Sequence, residues 1–320
     1  MRMQYKWILV AALISLVLFA QTTDKIPSWA YGTEPAEPPT APKPPDLGIH
    51  HLKGSTFEFT IAQIRNPFGP ADWYPNEHPH MPPVVANGSK PDVWACDFCH
   101  YPNGKGRPEN AGVSGLPVAY FVQQMHDFKD GNRYSADPRK KNTANMIRFA
   151  KGMTDDQIRE SAEYFAKIPW TPWIKVVETA TIPKNKTSVG MYLPLEGNET
   201  EPLGHRLIEM PVKPEDTEAL RDPHSGFIAY APIGSIRKGE ALVKDGSGKT
   251  TPCGICHGAD LRGMGPVPGI AGRSPSYIAR QLYDLQQGTR KGLWSELMKP
   301  VVSKLTNDDL INIAAYTASR

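Results

Sequence analysis

The chain has 320 residues, of which 22% are charged and 40% hydrophobic, and a formal net charge of +3. So small a charge, spread along the chain, argues against a nucleic-acid partner, because neutralising phosphates takes a clustered basic face. Weak steering toward a charged protein partner stays open.

Residues 1–22 read as an export signal or an N-terminal anchor. Arg2 and Lys6 give a positive start, and Trp7 to Ala20 is an apolar run of fourteen residues with Ser15 its one polar member. That is short of the roughly 20 needed to span a bilayer and fits a secretory signal. A cut after Ala20 has Leu18 where a small residue is preferred, whereas Ser28-Trp29-Ala30 has better residue types but lies far from the apolar core. An uncleaved anchor, and with it a membrane tether through the N-terminus, remains an alternative. Seven prolines fall in the twenty-one residues from Ile26 to Asp46, so residues 23–46 are predicted to be an extended tether. Residues 47–91 hold a short β-prone run, Ser55 to Ile61, then a stretch rich in Pro, Asn and Gly, and read as an irregular arm. Its histidines, His50, His51, His78 and His80, are not spaced like a zinc motif, and Pro79 and Pro82 point to an extended, exposed segment.

All four cysteines lie in Cys96-Asp97-Phe98-Cys99-His100 and Cys253-Gly254-Ile255-Cys256-His257. Cys-x-x-Cys-His is the attachment signature of c-type haem: the thiols add across the two vinyl groups and the histidine sits beneath the iron. Two Cys-x-x-Cys pairs could instead make a zinc site or a thioredoxin-like couple, but neither explains the histidine after each second cysteine. Two covalently bound haem c groups are therefore expected, on Cys96, Cys99, Cys253 and Cys256, with His100 and His257 as proximal ligands. Bacteria attach haem c outside the cytoplasm, so a periplasmic location agrees with the export signal. No cysteine is left for a disulfide. A unit of about eighty residues buries only about 60% of its unfolded surface, and the macrocycle must supply the missing core.

The chain also repeats itself. His257 follows His100 by 157 residues, and at that offset Tyr120 meets Tyr277, Gln124 meets Gln281, Asp127 meets Asp284, Gly131 meets Gly288 and Arg133 meets Arg290. Five further residues enter the first copy. At the new offset of 152, Met146 meets Met298, Ile158 meets Leu310, Ala162 meets Ala314 and Tyr164 meets Tyr316. Each copy predicts an amphipathic helix ending at Gly, a loop with Arg, a Met, and a final helix. Thr154-Asp155-Asp156-Gln157 is a capping box, and Thr306-Asn307-Asp308-Asp309 is the same start without the full box. The copies occupy residues 92–169 and 234–320. Residues 170–233 between them show no haem pattern, but a loop of that length is unusual in a compact domain. They are predicted to be an ordered strap with a strand near Thr171 to Val177.

The order Cys-x-x-Cys-His, Tyr-x-x-x-Gln, Gly-x-Arg, Met, then a Thr-capped helix with Ala-Tyr resembles a class I cytochrome c domain. Two in tandem resemble the two-domain dihaem cytochromes c, bacterial electron carriers. The resemblance covers 92–169 and 234–320, about half of the chain. It implies a mostly α fold of two tandem class I cytochrome c-like domains. A lone Met is more often a core filler than a ligand. Met146 and Met298, equivalent in the repeat and each ahead of a terminal helix, argue for ligation, and the resemblance implies the same pair. Thioether ligation raises the reduction potential. Met153, just before the Thr154 cap, is the main rival in the first copy; Met125 reads as core and Met264 lies in a Gly-rich loop. Pro268 resembles the family proline whose carbonyl takes the free N–H of the proximal histidine, and Pro108 is its looser first-copy equivalent. Arg133 and Arg290 either pair with haem carboxylates or close a helix C-terminus. His126 has Tyr283 as its repeat partner, against a shared ligand role.

With both irons closed the chain is expected to pass single electrons between redox protein partners, such as a dehydrogenase, an oxidase or a cytochrome complex. No catalytic residue is then needed. The alternatives are a dihaem peroxidase-type enzyme with one open iron, and the haem subunit of a dehydrogenase or oxidase complex.

Overall fold

The computed structural model describes residues 27–32 and 46–320. The apolar export segment and most of the proline-rich tether lie outside the described residues. The part of the tether that is described is docked. It forms a single turn, α1 (Ser28–Tyr31), with Ala30 and Tyr31 each 1% exposed. Tyr31 Oη donates to Asp284 Oδ1 at 3.0 Å, Tyr192 Oη donates to the Trp29 carbonyl at 2.9 Å, and Arg280 Nη1 donates to the Ala30 carbonyl at 3.0 Å.

The arm is more ordered than its composition predicts. Strands β1 (Ile49–His51) and β2 (Glu58–Thr60) pair antiparallel, and Thr60 caps the one-turn helix α2 (Ile61–Ile64) in a box with Gln63. Leu52, Ile64, Trp73 and Tyr74 form a small core that takes in Leu220 from the strap. His78 is not exposed: its side chain is 5% accessible, with Nε2 3.0 Å from Asp72 Oδ2 and Nδ1 3.1 Å from Tyr164 Oη. The stretch itself is extended and mostly exposed, with Glu77, Pro79 and His80 in solvent, but the His78 side chain is covered by packing on the first haem domain.

That domain is built from α3 (Pro83–Ala86), α4 (Cys96–His100), α5 (Val118–Lys129), α6 (Lys141–Gly152) and α7 (Asp155–Ala166). Val84 and Val85 of α3 share one core with Phe121, Met125, Phe149, Ile158, Ala162 and Phe165. The arm's last turn, α3, thus packs into the core of the first haem domain. A helix of one turn is too short to show periodicity.

The strap holds β3 (Ile174–Glu178), β4 (Thr181–Pro183), β5 (Asn185–Ser188), β6 (Met191–Pro194), β7 (Thr200–Pro202), β8 (Ile208–Pro211), a π-helical turn at Asp216–Leu220, and β9 (Phe227–Ala231). Strand β9 runs between β3, parallel to it, and β8, antiparallel. Leu207 and Ala231 pack on Ile278, Ala279, Ile311 and Ala314 of the second haem domain.

The second domain comprises α8 (Ser235–Asp245), α9 (Gly254–His257), the hairpin of β10 (Gly263–Met264) and β11 (Val267–Pro268), α10 (Pro275–Gln286), a 3-10 turn at Leu293–Met298, α11 (Lys299–Val302) and α12 (Asn307–Ala318). Thr306 caps α12 in a complete box, because Asp309 Oδ2 accepts from the Thr306 N–H at 2.9 Å. A carboxylate one methylene shorter than Glu reaches after all, which corrects the sequence reading. Helix α8 crosses α12 at Gly239, where an added Cβ would stand 1.9 Å from the Asn312 carbonyl oxygen. Gly239→Ala is predicted to push the helices apart and lower the melting temperature, at a cost of about 1–3 kcal/mol or more from overpacking. An unchanged thermal melt would refute so close a crossing.

The repeated residues meet at the junction of the two domains. Arg133 and Arg290 face each other in an antiparallel bridge, flanked by Tyr134 N–H to the Thr289 carbonyl at 3.0 Å and Lys291 N–H to the Asn132 carbonyl at 2.8 Å. Arg133 donates to Gln124 Oε1 at 2.9 Å, Gln281 Oε1 at 2.7 Å and Tyr277 Oη at 2.9 Å. Arg290 returns the pattern to Gln281 at 3.2 Å, Gln124 at 2.7 Å and Tyr120 at 3.4 Å. Through these donors the two arginines clamp one copy to the other rather than close a helix end, while Arg290 Nε stays buried without a hydrogen-bond partner.

Candidate functional site

Helix α4 is a single turn, and residues three apart on a helix share a face. Cys96 and Cys99 therefore open to the same side. Cys96 Sγ lies 3.6 Å from the Val84 carbonyl and 3.8 Å from Ser161 Oγ. Burial pushes the Cys96 thiol up to about 12 and the Cys253 thiol up to about 11, and raises Cys99 as well. A thioredoxin-like couple needs a lowered thiol. The two motifs also pack into separate cores, so they do not build one zinc site. Among the described residues no group of three His, Cys, Asp or Glu side chains could hold a metal ion.

His100 is 9% exposed, and its Nδ1 lies 2.8 Å from the Ala111 carbonyl. A carbonyl only accepts, so Nδ1 carries the hydrogen and Nε2 keeps its lone pair for a metal. Burial holds the imidazole below the usual histidine range, which favours that neutral form. His257 repeats the arrangement, with Nδ1 2.8 Å from the Pro268 carbonyl and burial again lowering its pKa. Ala111 and Pro268 each follow their histidine by eleven residues. Pro108 does not take this part: its carbonyl accepts from Arg280 Nη2. The offset of the repeat pointed to Ala111. Looking for a proline missed it, because the contact is made by backbone and any side chain will serve.

Met146, half-buried on α6, lines the same cavity as His100. At the thiol end a second, apolar chamber is walled by Cys96, Cys99, Trp94, Phe149 and Phe165. Met125 and Met153 are core residues that also reach its wall, at 5% and 4% exposed. At the opposite end the cavity turns polar, with Tyr120, Arg133, Lys140, Asn142, Tyr277 and Arg280. A flat apolar ring with thiol-reactive groups at one edge and carboxylates at the other fits such a cleft. In the second domain Met298 ends the 3-10 turn and packs, half-buried, against the core that includes Cys253. Met264 is 56% exposed on β10. His126 stands 3.9 Å from Asp155 at the surface.

The two motifs differ in their cover. Arm and strap meet over α4: Trp73 Nε1 donates to the Leu220 carbonyl at 2.8 Å, and the Tyr74 and His224 rings stack at 3.9 Å. Arg221, held in the left-handed region at φ 60°, lays its guanidinium 4.4 Å from the Phe98 ring centre. Asp97 is 2% exposed, and burial pushes its carboxyl well above the usual range. On α9, by contrast, Ile255 is 62% exposed and Cys256 faces solvent.

No family model matches the chain. The thiosulfate dehydrogenase electron acceptor of Stutzerimonas stutzeri is 35% identical over 236 residues, covering 72% of this chain and 82% of that protein. Cytochrome c4 of Pseudomonas aeruginosa is 24% identical over 227 residues, covering 69% and 81%. Cytochrome c-554(548) of Halomonas halodenitrificans is 36% identical over 76 residues, 23% of this chain and 92% of its own length. Among solved structures, cytochrome c4 of Acidithiobacillus ferrooxidans superposes with a TM-score of 0.46 at 23% identity, over 70% of this chain and 98% of that one.

Two haem-binding helical domains, joined by reciprocal arginine contacts, define a dihaem electron-transfer protein. The chain belongs to the two-domain dihaem cytochromes c. It carries two covalently bound haem c groups, passes single electrons between redox protein partners, and is not itself an enzyme.

Proposed function

We propose that Cys96 and Cys99 hold one haem with His100 and Met146 on its iron, and that Cys253 and Cys256 hold the other with His257 and Met298. The observation that carries this reading is the doubled histidine geometry, a 2.8 Å Nδ1–carbonyl contact in each half that leaves Nε2 free for iron. Each haem supplies one electron site by cycling its iron between ferric and ferrous states. The chain orients the ring, excludes water and sets the potential.

Partners exchange electrons at the second haem. Ile255 and Met264 on the histidine side, and Leu293 and Leu297 beside Met298, are 62%, 56%, 74% and 75% exposed. They offer an apolar rim where the first domain has Arg221 and the strap. The donor is a dehydrogenase; one relative is named as the electron acceptor of thiosulfate dehydrogenase, which makes that enzyme the partner to test. Thiosulfate with its dehydrogenase is expected to reduce the oxidised protein, and Ile255→Glu to slow the reduction on the order of tenfold, about 1.4 kcal/mol of docking energy. An unaltered rate in the variant would place the port elsewhere, and no reduction at all would reject the donor.

The protein works outside the cytoplasm, exported by its N-terminal segment. Cleavage after Ala20 keeps the docked turn, whereas cleavage after Ala30 would strip Trp29 and Ala30 from their buried seat. N-terminal sequencing of the exported protein distinguishes the two and also reports a retained membrane tether.

A further inference from the structure

One cation in the first domain's cavity has no partner. Lys140 caps α6, whose Thr143 and Met146 line the same cavity. It is 5% exposed and its Nζ has no hydrogen-bond partner. The charged groups facing it are Arg280, Glu109, Asp284 and Asp137. Each carboxylate lies against another group, although neither Glu109 oxygen has a hydrogen-bond partner. Glu109 lies 2.6 Å from Arg107 and Asp137 2.7 Å from Arg139, while Asp284 accepts from Tyr31 and from the Ala136 N–H. The strap closes over the group: a Cβ on Gly190 would stand 3.4 Å from Lys140 Nζ and 3.7 Å from Asn142 Oδ1.

A buried amine without an anion is costly, and the cavity offers one counterpart. A haem fixed by its vinyl edge at Cys96 and Cys99 presents its two carboxylates toward the opposite, polar end. The second copy has no cation at the equivalent place in the repeat. The position equivalent to Lys140 is Gly292 or Leu297, depending on the side of the five-residue insertion from which it is counted.

We propose that Lys140 binds a proton when the haem of the first domain is reduced and releases it on oxidation. The proposal rests on that haem lying between His100 and Met146. One electron arrives from the redox partner and lowers the charge at the iron by one. One solvent proton adds to the lone pair of the Lys140 amine, forming an N–H bond that breaks again on reoxidation. Burial, with Arg280 adding repulsion, lowers the Lys140 ammonium to about 7 before a haem carboxylate stands beside it; that anion raises the value again, so the exchange falls between neutral pH and the ordinary lysine range.

The sign follows from linkage. Reduction favours the protonated amine, so its pKa is higher with ferrous than with ferric iron. Below both values Lys140 is charged in either redox state, and the potential is high and flat. Above both it is neutral, and the potential is lower and flat. Between them the potential falls as pH rises, by at most about 59 mV per unit for one proton per electron.

The test is a redox titration of the holoprotein from about pH 5.5 to about pH 10.5, a span from below the lysine's lowered pKa to its ordinary one, with the two couples resolved. One couple is expected to fall with rising pH within this span while the other stays level. Lys140→Met should hold that couple at its alkaline level at every pH. Lys140→Arg should hold it at the acid level, because guanidinium keeps its charge. Two flat wild-type couples would overturn the proposal, as would a slope that survives in Lys140→Met. If Lys140→Met fails to assemble, a slope surviving in Lys140→Arg overturns it equally. The sulfur-to-iron absorption band, read in the same samples, separates failure of the proton site from failure of the ligand assignment.

Discussion

Replacing Met298 with Ala is expected to open the second iron, so that one haem equivalent binds carbon monoxide and one couple drops in potential. Axial ligands command roughly 0.8 V of haem potential, and losing the thioether should cost on the order of 0.2 V of it. Met146→Ala should do the same at the first iron. The contrast is with Met125 and Met153, buried in the first core. Their replacement by Ala costs about 2–5 kcal/mol of stability, with no carbon monoxide binding and both couples in place. Carbon monoxide binding by Met153→Ala, with Met146→Ala inert, would move the ligand to the other side of the Thr154 cap.

The second large effect is on stability. Arg280 is 5% exposed and joins three pieces of the molecule, donating to the Ala30 carbonyl in the docked N-terminal turn and to the Pro108 carbonyl in the first domain from its own place on α10. It also stands within electrostatic reach of the buried carboxyls of Glu209 and Asp284. Arg280→Ala leaves two buried carbonyls unsatisfied and removes the cation from both acids. Losses of this kind run to about 3–5 kcal/mol, and the melting temperature should fall on the order of 10 °C. The docked turn should also become open to protease. A variant that melts with the wild type would show that α1 and the domain junction do not depend on this residue.

The sequence carried the chemistry and the local helices well. Cys-x-x-Cys-His is a covalent signature; α5 and α10 announce themselves by period, and α7 and α12 also by their caps, all signals from neighbours three and four residues apart. What it hid was long-range. Tyr120, Gln124, Arg133 and their counterparts were visible as a repeat, but only the three-dimensional structure shows that each reaches across to the other copy. Ala111 gave no side-chain signal because its contribution is a carbonyl, and only its place in the repeat marked it. The burial of His78, the docking of Pro27 to Gly32 and the seven strands of the strap are set by surfaces far away in the chain. Proline-rich composition reports local stiffness and says nothing of what such a segment packs against.

The central claim is that both irons are closed by a histidine and a methionine and only pass electrons. Optical spectra of the haem-loaded protein, ferric and then reduced, with and without carbon monoxide, test it most directly. A sulfur-to-iron band in the ferric form and no response to carbon monoxide at either haem is the predicted result. Ready binding of carbon monoxide by one haem equivalent would contradict it, since an iron would then be open and the methionine assignment would fail in that half.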